Sequence, residues 1–78
     1  APKWSEVRVF VDEDTVVLRT RAMRATGLRG DYRVVGKSPM PPKKQEIYVL
    51  RGDQEVLIRI PESSQAIMTF DELLNGNS

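Results

Sequence analysis

Asp12, Glu13 and Asp14 are the residues that first invite chemistry, because three acids stand side by side. Adjacent carboxylates suit a hard cation, since calcium and magnesium take oxygen ligands. The spacing argues against a site: neighbouring side chains diverge, and no calcium-loop glycine and distal glutamate follow. Asp14 reads better as a helix N-cap, with the acids at the positive end of a helix dipole. The chain contains no histidine and no cysteine. The serines therefore lack the commonest general base, and the commonest transition-metal ligand is missing. Thiolate zinc sites, disulfides and cysteine catalysis are excluded with them. Carboxylates alone suit hard cations better than ferrous iron, and no glycine loop for phosphates is present. The chain is not expected to be an enzyme, to carry a cofactor, or to hold a metal by itself.

Charge is unevenly spread. Residues 1–14 sum to −2, residues 15–44 to +7 and residues 45–78 to −4. A basic block is the footprint of a nucleic-acid or membrane surface, or a solvated face balanced in space by the acids. The arginines are not interleaved with aromatic side chains, which weakens a nucleic-acid reading. Arg-Gly-Asp occurs twice, at residues 29–31 and 51–53. Gly-Asp is ordinary turn chemistry, so adhesion is not inferred.

At 78 residues the chain has room for one domain, residues 1–78. No apolar run approaches the roughly 18 residues of a membrane span, and no signal-peptide pattern is visible. A cytoplasmic chain is expected. Val7, Val9 and Val11 alternate with polar or outward residues, so residues 5–11 read as a strand. Residues 15–26 read as a helix that Gly27 ends, with Val16, Ala22, Met23 and Val17 on its buried face. Gly30-Asp31 reads as a turn and residues 32–35 as a strand. Pro39, Pro41 and Pro42 make residues 38–44 a stiff loop. Residues 47–50 are apolar on both faces and read as a central strand. It pairs in a hairpin with residues 56–60, with Gly52-Asp53 near the tip. Ser63 and Ser64 make a turn and residues 66–69 a last strand. Thr69 to Glu72 matches a capping box before Leu73 and Leu74, and residues 75–78 form a frayed tail. Trp4 is expected to cover one end of the core. The expected fold is mainly β: a small barrel of about five antiparallel strands, with one short helix between the first two.

Arg21 to Leu28 (RAMRATGL) resembles the helix and glycine–leucine stop of the FeoA family. Tyr32-Arg33-Val34-Val35, Ser38-Pro39, Glu46 to Leu50, Glu55 to Arg59 and Ala66-Ile67 follow in the family's order. The likeness spans roughly residues 6–69 and is one of pattern. The stretch between Gly27 and Pro39 is shorter than in the family. The family's Pro-Gly-Asp-Pro turn is replaced by Pro39 to Lys44, which alters any partner contact made there. The resemblance implies an SH3-like barrel, a cytosolic protein that assists ferrous-iron uptake by docking on the FeoB transporter, whose cytosolic part binds GTP. The expected partner-binding surface is the outer helix face, Arg19, Met23 and Arg24, with the loop Met40, Pro41, Pro42, Lys43 and Lys44. Met40 is either an adaptable apolar tip or a plug folded back on the barrel end. Two alternatives stand beside this. One is the C-terminal SH3-like domain of a DtxR-type metal-responsive regulator. The other is a small nucleic-acid-binding barrel using Arg19, Arg21, Arg24, Arg29, Arg33, Lys43 and Lys44.

Overall fold

Segments with period-two alternation dominate the chain, and they set its architecture. The computed structural model describes residues 4–21 and 23–76, without the side chains of residues 23–25. Five antiparallel strands form one sheet: β1 (Arg8–Asp12), β2 (Thr15–Arg19), β3 (Gly30–Lys37), β4 (Gln45–Arg51) and β5 (Glu55–Pro61). They lie side by side in chain order, so β1 and β5 are the outer strands. A C-terminal helix, α1 (Ala66–Gly76), lies against β3 and β5. The mainly β class and the five antiparallel strands agree with expectation, but the five differ in two places.

The first correction is at residues 15–26. Thr15, Val16 and Val17 are β-branched and stiff at χ1, which favours a pleated surface over a helix. Val16 and Leu18 are buried opposite Val11 and Val9 on β1, while Thr15, Val17 and Arg19 face outward. Asp12 pairs with Thr15 across a two-residue loop, and Glu13 takes φ 55° there. Asp14 is therefore a loop residue and no helix cap, and its carboxylate lies 3.3 Å from Arg33. Helical structure follows later, as a 3-10 helix over Met23–Leu28 that contains Gly27. It joins the second strand to the third, not the first to the second. Ala22 and the Met23 side chain, expected in the core, lie outside the described residues.

The second correction is at residues 66–69, which are helical. Ala66, Ile67, Leu73 and Leu74 pack against the core around fully buried Phe70, a stripe of helical period. Helix α1 starts where Ser64 Oγ accepts the Ala66 backbone N–H at 3.2 Å, an N-cap bond. Thr69 to Glu72 sits inside this helix and caps nothing.

Gly30-Asp31 is no turn either. It opens β3, with Gly30 at φ 148°, a conformation that L side chains rarely adopt. The β4–β5 hairpin is as expected, and β4 is central, carrying buried Tyr48 and Leu50. With Val16, Leu18, Tyr32, Val34, Ile58, Ile60 and Phe70 these form the core. Trp4 is 42% exposed and covers no end of it; its ring lies under the Arg59 guanidinium at 4.7 Å.

Candidate functional site

The proline loop is an exposed tip. Met40 is 87% exposed, Pro42, Lys43 and Lys44 are exposed, and Pro41 is half-buried. The plug reading of Met40 is thereby excluded. Backbone bonds pin the loop: Ser38 N–H to Ile47 O at 2.8 Å, Gln45 N–H to Pro42 O at 3.1 Å and Glu62 N–H to Lys44 O at 3.0 Å. The tip is thus presented on a fixed base. Arg19 stands elsewhere. It ends β2 beside the start of β3, whereas the loop follows the end of β3. The side chains of Met23 and Arg24 lie outside the described residues. The expected patch is therefore two regions, separated along β3.

The Arg19 region has its own character. Arg8 and Arg19 stand directly opposite each other across β1 and β2, and Arg33 stands opposite Arg51 across β3 and β4. Like charges directly opposite destabilise a sheet. Arg33 and Arg51 are compensated by Asp14 at 3.3 Å and Glu55 at 2.7 Å. Among the described residues Arg8, Arg19 and Arg21 have no such carboxylate. The Arg19 guanidinium lies 5.6 Å from the ring centre of half-exposed Phe10.

Between β1 and β5 runs a groove of about 720 Å³. Val7 and Val9 form one wall, Val56 and Ile58 the other, and Leu18 and Phe70 line it. Trp4 and Arg59 also line it. None of this was named from sequence, although the alternation of Val7 and Val9 and of Val56, Ile58 and Ile60 marks the inward positions. What sequence lacked was the knowledge that these strands would be outermost.

A polar clasp ties α1 to the sheet. The Tyr48 hydroxyl donates to Asp71 Oδ1 at 2.7 Å, and Lys37 Nζ reaches the same oxygen at 3.3 Å and Glu46 Oε2 at 3.2 Å. A bulge between Val34 and Gly36 makes this possible. It pairs Lys37 with Tyr48, on the core-facing side, where unbroken alternation from Val34 would turn Lys37 away. The hydrogen bond from Tyr48 holds the Asp71 carboxyl below its usual value; burial opposes this and Lys37 adds to it. Burial, then the Asp71 bond, pushes the Tyr48 phenol up. Burial pushes Lys37 down, but Glu46 and Asp71 outweigh it and its pKa is raised.

The signs define a pH window. A lowered carboxyl pKa gives stability that is present above the unfolded value, about 4, and is lost as pH falls through the folded one. Raised phenol and ammonium values give stability present below about 10 and lost as pH climbs further. Asp71→Asn keeps an acceptor for Tyr48 but removes the titration. Its urea midpoint is expected to fall less than that of the parent chain between pH 5 and about 2. An identical acid limb in both proteins would show that the clasp does not stabilise the fold.

Among the described residues no group of three or more acids could hold a metal ion, and no helix is long and apolar enough to cross a membrane. Comparison of the chain with known protein families, with curated proteins and with solved structures finds no match in any of the three.

Proposed function

We propose that the chain is a small interaction module of FeoA type, which assists or regulates ferrous-iron uptake by docking on the cytosolic part of an FeoB-type transporter. In this reading the five-stranded meander is the curled sheet of an SH3-like barrel. The 3-10 helix ending at Leu28, the strand after it, the proline loop and the hairpin support the reading, since they keep the order that the resemblance requires. The strand at residues 15–19 and the helix at 66–76 depart from it. The observation that carries the reading is the Met40 tip. An apolar, adaptable side chain stands in water on a pinned loop, rimmed by Lys43 and Lys44. Such a tip has docking chemistry. A docked module shifts its partner only if it binds two partner states with different affinity.

The test is a pull-down of the tagged chain from membranes containing the ferrous-iron transporter, at low and high salt, with a nucleic-acid fragment as competitor. Retention of the transporter at both salts, unaffected by competitor, is expected. Met40→Ala is expected to weaken retention about tenfold, the loss of one anchoring side chain. Salt-sensitive capture of nucleic acid without transporter would refute the reading in favour of a nucleic-acid-binding barrel.

A further inference from the structure

We propose that the groove between β1 and β5 binds an extended peptide strand in which apolar residues alternate with acidic ones. The inference uses neither the Met40 tip nor the resemblance, and it stands or falls apart from the transporter reading.

The groove has the chemistry of a missing strand. As the outer strands, β1 and β5 each leave one row of backbone N–H and C=O groups unpaired by the sheet. An extended peptide satisfies such a row by strand addition, and its alternate side chains then point to one face. The groove between these edges is apolar, lined by Val9, Leu18, Val56, Ile58 and Phe70. Every second residue of the ligand must therefore be apolar. A seven-residue edge such as β5 matches a ligand of six to eight residues.

Charge fixes the other residues. Trp4 to Val7 border both the groove and a second cavity of about 570 Å³, whose remaining lining is Arg8, Arg19 and Arg21. Arg8 and Arg19 repel across the strand pair, and among the described residues neither they nor Arg21 form an ion pair with a carboxylate. Arg59 adds a fourth guanidinium on the groove wall, while Glu6 is the one acid that lines either cavity. An acidic ligand relieves this repulsion; a basic one deepens it. A nucleic acid would meet the arginines but would leave the apolar groove unfilled.

The test uses the full chain and a fluorescein-labelled octapeptide of alternating glutamate and valine. Fluorescence anisotropy reports on the peptide. Trp4 is the chain's single tryptophan and stands in the groove wall, so its emission reports on the groove. Saturable binding with a blue shift of Trp4 is expected. Lysine in place of glutamate should weaken binding about tenfold or more. The peptide pairs with the β5 edge, so N-methylation of the alternate amides that face β5 should abolish binding and N-methylation of the other set should spare it. Arg19→Glu with Arg21→Glu should weaken binding by about tenfold while the urea midpoint holds or rises, because a repulsive pair has been removed. Four outcomes overturn the proposal: no Trp4 response at about 1 mM peptide, equal binding of the lysine peptide, displacement by a single-stranded oligonucleotide, or self-association of the chain that shields Trp4.

Discussion

Phe70→Ala is expected to remove about 3–5 kcal/mol of stability, the range for losing a fully buried aromatic ring. Phe70 is the one fully buried residue of α1, and its ring centre lies 5.2 Å from that of Tyr48. Removing it opens a cavity at the join between helix and sheet, and takes with it the aromatic pair that holds Tyr48 under Asp71. A chain of this length has about 4–12 kcal/mol in total. The variant is thus expected to lie at the edge of unfolding at room temperature. Urea denaturation followed by circular dichroism measures it. Phe70→Leu, which keeps most of the volume, should recover more than half of the loss. A loss below about 1 kcal/mol for the alanine variant would mean that α1 does not complete the core.

Gly52→Val is the second large effect, and its cause is backbone crowding. A Cβ at position 52 would stand 2.4 Å from the Asp31 carbonyl oxygen and 3.2 Å from the Tyr32 ring. The β4–β5 tip leans on the start of β3 there, and Gln54 next to it donates to Gly27 O and to Tyr32 Oη at 3.2 Å. A branched side chain forces the tip away and breaks these bonds. The expected loss is about 1–3 kcal/mol, the usual range for overpacking. In amide-exchange measurements, protection should fall at residues 27–32 as well as in the hairpin. An effect confined to residues 51–55 would contradict the contact. The second Arg-Gly-Asp needs its glycine for this approach, so packing accounts for Gly52 without adhesion.

The hairpin of β4 and β5 was legible because its signals agree: alternation, apolar residues on both faces of β4, and Gly-Asp at the tip. Residues 15–26 carried conflicting signals. Thr15 to Leu18 favour a strand, Arg19 to Ala25 a helix, and the two parts have different structures. At residues 66–69 a short apolar run looked like a strand, although the spacing of Ala66, Ile67, Phe70, Leu73 and Leu74 was already helical. The loop at Met40 to Lys44 could be read as a loop because prolines exclude a sheet. The clasp could not, since Lys37 reaches Asp71 only after a bulge reverses its side. The groove could not either, because it depends on which two strands end outermost.

Pairing every strand with its neighbour in sequence also decides how the molecule comes apart. β1 makes its principal contacts with β2 alone, whereas β3, β4, β5 and α1 contact one another through several partners. Opening is therefore graded. β1 can peel away from β2 while residues 15–76 remain folded, so amide protons of β1 exchange by local fluctuation and those of β4 only on global unfolding.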